Sequence, residues 1–111
     1  MVATEFYVEF RAEGSPDEAD LREEAERRLG ALADKRDDMI GASVVIERME
    51  RAETPHRFRA RVVAYVRPDN IAATEQAESA RGALKGALRA IERQVREKRI
   101  KLGRPWERED L

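Results

Sequence analysis

Rows of basic side chains are the residues of this sequence whose types and spacing could do chemistry. Arg81, Lys85, Arg89 and Arg93 follow one another at intervals of four residues, and Arg96 continues the row. On an α-helix, with 100° between successive residues, this spacing places the side chains along one flank. A guanidinium group offers phosphate oxygens a planar pair of donors, so such a flank is typical of a surface that binds nucleic acid.

A second basic cluster and an uneven charge distribution point the same way. Arg57, Arg59 and Arg61 alternate along one segment. Residues 1–55 carry 8 basic and 15 acidic side chains, whereas residues 56–105 carry 13 basic and 5 acidic ones. A basic half beside an acidic half indicates a polyanion-binding face. The alternative interpretation is a solvated surface cross-linked by salt bridges, and the sequence leaves both open.

Groups that could catalyse a reaction are sparse. His56 is the only histidine and there is no cysteine, so a site built on several histidines and a thiolate nucleophile are both excluded. No glycine-rich phosphate loop is present, and Ser15 and Ser79 are explained as helix caps. We therefore expect no catalytic residues, no metal site, no cofactor and no small-molecule substrate.

Length and composition indicate one soluble domain. The 111 residues are 41% hydrophobic and 5% aromatic, so one modest core must be built from Ala, Val, Leu and Ile. No apolar run approaches the ~20 residues of a membrane span. The N-terminus lacks the features of a signal peptide, and the absence of cysteine fits a reducing compartment. We expect a cytoplasmic protein without a membrane partner.

Four strands are predicted from the spacing of apolar residues. Strict alternation predicts a strand over residues 4–11 and, most clearly, another over residues 56–67. A β-branched run predicts a strand over residues 40–49. Residues 71–76 pair back as a short fourth strand after a turn.

Two helices complete the order β-α-β-β-β-α. Ser15, Pro16 and Glu18 form a capping signature for a helix over about 16–35, and a second helix runs from Ser79 to about Arg99. This is an α+β domain, with two helices packed on one face of a four-stranded sheet. The side chains expected in the core are Phe6, Val8, Phe10, Leu21, Leu29, Phe58, Val62, Leu84, Leu88 and Ile91. Gly82 and Gly86, inside the second helix, suggest close approach to the sheet.

The order of the elements and several short motifs resemble the family of the ribosome hibernation-promoting factor and ribosome-associated inhibitor A. The best local match is the segment 90–96, Ala-Ile-Glu-Arg-Gln-Val-Arg, which is similar to the family's leucine-glutamate-arginine-glutamine-leucine segment. The strand over residues 58–66 and the turn at 68–70 match the family's third strand and the turn that follows it. In the first helix, Leu21-Arg22 and Arg28-Leu29 fall where the family has an apolar-basic and a basic-leucine pair.

The resemblance implies a ribosome-binding domain over residues 1–101 with a short C-terminal tail over residues 102–111, as in the short form of the family. It implies binding to the small ribosomal subunit in the channel of messenger and transfer RNA, which blocks translation during stress or stationary phase. The alternative is a protein interaction module that forms a homo-oligomer without binding RNA. The oligomeric state of the protein away from the ribosome stays open.

The residues predicted to contact ribosomal RNA are all cations. Arg22 and Arg28 are implied by the resemblance, and the others belong to the basic segments. The set is Arg22, Arg28, Arg57, Arg59, Arg61, Arg81, Lys85, Arg89, Arg93, Arg96, Lys98, Arg99 and Lys101.

Overall fold

Four strands and two helices follow one another in the predicted order. The computed structural model of the chain describes residues 6–12, 17–34, 36, 38–49 and 57–103. The elements are β1 (Tyr7–Ala12), α1 (Glu18–Ala33), β2 (Met39–Arg48), β3 (Phe58–Val66), β4 (Ile71–Ala77) and α2 (Ala80–Leu102). The predicted α+β class with the order β-α-β-β-β-α is confirmed.

The strands form one mixed sheet in the order β1-β2-β3-β4. β1 and β2 are parallel and are joined through α1, as a parallel pair requires a crossover. β2, β3 and β4 are antiparallel, and their register places Val44 opposite Val62 and Val62 opposite Ala73. Both helices pack on the face that carries these side chains, and the other face of the sheet is not covered by either helix.

The core lies between the helices and the sheet and consists of aliphatic side chains. Its largest fully buried members are Leu21, Leu29, Val44, Val62, Leu84, Leu88, Ile91 and Val95. The predicted core residues Phe6, Val8, Phe10 and Phe58 are only partly buried, although they pack against this cluster. β1 is an edge strand and Phe58 is the first residue of β3, so these side chains lie at the margin of the core.

The position of α2 is set by its cap and by one glycine. Ser79 Oγ accepts a hydrogen bond from the Gly82 N–H at 2.9 Å, as expected for an N-cap. The helix ends at Leu102, three residues later than predicted, and the Gly103 N–H donates to the Arg99 carbonyl. A Cβ on Gly86 would lie 2.5 Å from Glu75 Cγ, so the absence of a side chain lets α2 approach β4 closely.

Some sequence-based predictions lie outside the described residues. They concern the Ser15 cap, the connection over residues 50–55, His56, and the tail from residue 104 onward. Within the described ranges, neither helix is long and apolar enough to cross a membrane. The same ranges hold no cluster of three His, Cys, Asp or Glu side chains that could bind a metal ion.

Candidate nucleic-acid interface

An open groove of about 1000 Å³ runs between α1 and α2 on the side of the helices that faces away from the sheet. Its cationic lining residues are Arg27, Arg28, Arg36, Lys85, Arg89, Arg96 and Arg99. Its acidic lining residues are Glu24, Asp34 and Glu92, and Ala31, Leu32 and Ile100 contribute apolar surface. Seven cations against three acids give the groove a net positive charge, which attracts polyanions.

Three cations on α2 form the exposed rim of this groove. Lys85, Arg89 and Arg96 recur at intervals of four and seven residues, which places them on one flank of the helix. All three are exposed, and none makes an ion pair with the described residues. The opposite stripe of α2, which includes Leu88 and Val95, is fully buried and fixes the orientation of the rim. The side chains of Lys85, Arg89 and Arg96 therefore project into solvent from a rigid helix.

The floor of the groove is a network of ion pairs between the two helices. Arg28 donates from Nη2 to Glu92 Oε1 at 2.7 Å and from Nε to Glu92 Oε2 at 3.1 Å. Its Nη1 donates to Glu24 Oε2 at 3.4 Å, and Arg81 Nη1 donates to Glu24 Oε1 at 3.0 Å. The hydrogen bonds to Glu92 raise the pKa of Arg28 above its ordinary value. This network ties α1 to α2 and fixes the width of the groove.

A second ion pair fastens the far end of α2 to the start of β2. Arg99 donates from Nε to Asp38 Oδ2 at 2.8 Å and from Nη2 to Asp38 Oδ1 at 2.9 Å. These hydrogen bonds hold the pKa of the Asp38 carboxyl below its ordinary value. Lys98, the residue before Arg99 on the helix, donates to the backbone carbonyl of Asp69. Both cations are therefore engaged within the protein.

The remaining predicted contact residues lie on other surfaces. Arg93 and Lys101 are exposed on α2 but do not line the groove. Arg22 lies over the Phe10 ring, with its guanidinium carbon 5.6 Å from the ring centroid.

The β3 cluster does not join the groove. Arg59 and Arg61 project from the sheet face opposite the helices, and Arg59 pairs with Glu47 at 2.9 Å. Arg57 is exposed just before β3. The thirteen predicted cations thus lie on several surfaces of the domain. Five of them line the groove, namely Arg28, Lys85, Arg89, Arg96 and Arg99, and Arg81 is linked to it through its pair with Glu24.

Two cations of the groove were missed in the sequence. Arg27 lies on the flank of α1 that faces α2, and Arg36 follows the end of α1. The spacing of Arg27, Ala31 and Asp34 puts these residues on one side of a helix, which is a detectable signal. Which side of α1 faces α2 depends on packing between distant segments, so periodicity alone did not distinguish this flank from a solvated one.

Comparison with known proteins assigns the family. Residues 9–102 match the family model described as sigma 54 modulation protein / S30EA ribosomal protein. The chain belongs to this family. The match covers β2, β3, β4 and both helices, and therefore every residue of the groove, so the predicted family is confirmed. No curated protein sequence matches the chain significantly.

Two solved structures show a similar fold. A ribosomal subunit interface protein from Coxiella burnetii superimposes with a TM-score of 0.66 and is 13% identical, covering 85% of this chain and 98% of its own. The N-terminal domain of Protein Y from Thermus thermophilus superimposes with a TM-score of 0.64 and is 18% identical, covering 80% of this chain and 93% of its own. At these identities the similarity shows a shared fold.

Proposed function

We propose that this protein binds the small ribosomal subunit in the channel of messenger and transfer RNA, with the α1–α2 groove against ribosomal RNA. Bound there, it blocks translation during stress or stationary phase. Membership of the S30EA family supports association with the ribosome, as does a fold shared with a ribosomal subunit interface protein. The observation that carries the proposal is the rim of the groove, where Lys85, Arg89 and Arg96 are exposed and make no ion pair with the described residues.

The mechanism is electrostatic and steric. Lys85, Arg89 and Arg96 extend into solvent with no acidic partner in the described part of the chain, so phosphate oxygens can bind them without breaking an internal ion pair. Each phosphate neutralised releases condensed counterions, which favours binding and makes it depend on salt. Folded RNA is recognised largely by its backbone and shape, which suits a groove without exposed aromatic rings.

The network on the floor keeps the groove in a single shape before RNA arrives. Arg28, held by Glu92 and Glu24, cross-links the two helices, so little ordering of the rim is needed on binding. The domain then occupies the space that messenger or transfer RNA would take. Binding and exclusion account for the inhibition, and the proposed activity takes place in the cytoplasm without a cofactor or a catalytic step.

The proposal is tested with the double variant Arg89→Ala/Arg96→Ala. Isolated small ribosomal subunits are sedimented with the protein over a series of salt concentrations. If each rim arginine neutralises about one phosphate, the variant binds about 30-fold more weakly at physiological salt, and the slope of log K against log[salt] falls by about two units. The same variant should also inhibit cell-free translation correspondingly less than the unmodified protein does.

The matched control removes the same charge elsewhere. Arg48 and Arg67 are exposed at strand ends and line no part of the groove, so Arg48→Ala/Arg67→Ala has the same net charge as the groove variant. We expect this control to bind subunits within about twofold of the unmodified protein, because surface charges far from the contact are screened at physiological salt. Equal losses in the two variants would contradict a role for the groove.

A further inference from the structure

The uncovered face of the sheet carries two tyrosines side by side. Tyr7 on β1 and Tyr65 on β3 are both opposite Gly41 of β2 in the strand register. Their ring centroids are 6.4 Å apart and their planes are tilted by 35°. Tyr7 is 50% exposed and Tyr65 is partly buried, so both rings are accessible from this face.

Both rings are held in place by contacts on the sheet. A Cβ on Gly41 would lie 2.8 Å from Tyr7 Cε1 and 2.9 Å from the Tyr7 carbonyl oxygen, so the Tyr7 ring occupies the space above a residue without a side chain. The Tyr65 hydroxyl donates to Glu9 Oε1 at 3.2 Å. The two rings therefore form a fixed aromatic surface, and little conformational freedom is lost when a ligand stacks on it.

Two arginines lie on the same face further along the strands. Arg11 of β1 and Arg61 of β3 are both opposite Val45 of β2, about 13 Å from the tyrosines at ~3.3 Å per residue. Both are exposed, and neither forms an ion pair among the residues that the structure describes. Between the rings and the arginines, the same face carries Glu9 on β1, Ser43 on β2 and Val63 on β3, and the Glu9 carboxylate accepts the hydrogen bond from the Tyr65 hydroxyl.

We propose that this outer sheet face binds single-stranded RNA, with bases stacked on Tyr7 and Tyr65 and phosphates held by Arg11 and Arg61. Aromatic rings that stack on bases beside cations that bind the backbone are the two components of single-strand recognition. This site lies on the opposite side of the sheet from the groove and does not depend on the function proposed for the groove.

The test separates base stacking from attraction to phosphate. Binding of a fluorescein-labelled ten-nucleotide oligoadenylate is measured by anisotropy, beside an oligonucleotide of the same length and charge that lacks bases. We expect the unmodified protein to prefer the strand with bases. Tyr7→Ala should weaken binding of that strand about tenfold, which is the factor expected for the loss of one stacked base. The affinity for the abasic strand should not change. Tyr7→Phe should retain the preference, because the ring remains.

Two further variants distinguish this site from the groove. Arg89→Ala/Arg96→Ala should leave the ratio of the two affinities unchanged, whatever it does to ribosome binding. Gly41→Ala should reduce that ratio, because its Cβ would displace both the Tyr7 ring and the Tyr7 backbone carbonyl on the neighbouring strand, and circular dichroism checks that it folds. The proposal is overturned if the unmodified protein shows no preference for the strand with bases, or if Tyr7→Ala and Tyr7→Phe bind that strand equally well. It is also overturned if the protein shows no base preference and forms a dimer that Tyr7→Ala converts to monomers.

Discussion

The floor and the rim of the α1–α2 groove contain the same kinds of residue in opposite situations. On the floor, Arg28 and Arg99 are 19% and 14% exposed, and each makes a two-point contact with a carboxylate from a distant segment. On the rim, Arg89 and Arg96 are exposed and have no such partner among the described residues. Arginines on the floor hold the fold together, whereas those on the rim are available to a ligand.

The difference shows that a count of cations overstates the surface that can bind RNA. An arginine already bonded to a part-buried carboxylate contributes little net charge, and a phosphate would have to displace that carboxylate. The acids are nevertheless useful to binding, since Glu92 and Glu24 fix the spacing of the helices that carry the rim. Substitutions on the floor should therefore change the free energy of unfolding, whereas substitutions on the rim should change the affinity for RNA.

The largest expected effect is on stability, from Arg28→Ala. The substitution leaves Glu92 without its partner at a side-chain exposure of 17% and leaves Glu24 paired with Arg81 alone. Removing one member of a part-buried pair costs about 2 kcal/mol. Urea denaturation measures the free energy of unfolding. Arg89→Ala is the control and should stay within ~0.5 kcal/mol of the unmodified protein.

A double variant sharpens this result. Arg28→Leu/Glu92→Leu removes both charges and keeps apolar volume between the helices, so it should be more stable than Arg28→Ala. If Arg28→Ala unfolds at the same urea concentration as Arg89→Ala, Arg28 does not stabilise the fold and the contrast between floor and rim fails.

A smaller effect is expected from pH at the Asp38–Arg99 pair. Because Arg99 lowers the pKa of Asp38 in the folded protein, the pair stabilises the fold above the ordinary aspartate pKa of about 4, and this contribution is lost as pH falls through the lower folded value. Asp38→Asn should therefore cost ~1 kcal/mol at pH 7 and progressively less below pH 4. Urea denaturation at a series of pH values measures the difference.

Asp69→Asn is the control for this experiment. The Asp69 side chain is exposed, and only its backbone carbonyl accepts a hydrogen bond within the described residues, from Lys98. The free energy of unfolding of Asp69→Asn should match that of the unmodified protein at every pH. A gap between Asp38→Asn and the unmodified protein that stays constant from pH 7 to pH 3 would show that the ion pair is not the source of the difference.

The fold could be predicted from the sequence because its signals are local. Alternation at Ala60, Val62 and Ala64 and the apolar stripe of α2 each specify one buried face, and burying these faces together leaves few arrangements. Which cations form ion pairs within the protein and which are exposed on the rim could not be predicted in the same way. Glu92, the main partner of Arg28, lies 64 residues away in sequence, and Asp38, the partner of Arg99, lies 61 residues away, so neither pair is visible as neighbouring charges in the sequence.

The outer sheet face illustrates the same limit. The alternation of β3 places Tyr65 on the outer face of the sheet, yet that pattern alone does not predict an aromatic surface there. Tyr7 joins it only because the parallel pairing of β1 with β2 puts Tyr7 opposite Gly41, which lies opposite Tyr65. A parallel pair is joined by a whole helix, so its register is not specified by any turn sequence.

The smallest expected effect compares two arginines one turn apart on α2. Arg93 points about 180° away from the buried Leu84 and does not line the groove, whereas Arg89 does. Arg89→Ala should weaken binding to small subunits about fivefold at physiological salt and lower the salt slope by about one unit. Arg93→Ala should stay within about twofold, and both should remain as stable as the unmodified protein within ~0.5 kcal/mol. The two substitutions remove the same group from the same helix, so helix propensity and net charge cancel in the comparison. If Arg93→Ala loses as much affinity for small subunits as Arg89→Ala, or more, the surface that contacts RNA is the outer ridge of α2 and not the groove. The distinction between floor and rim would then apply to stability alone.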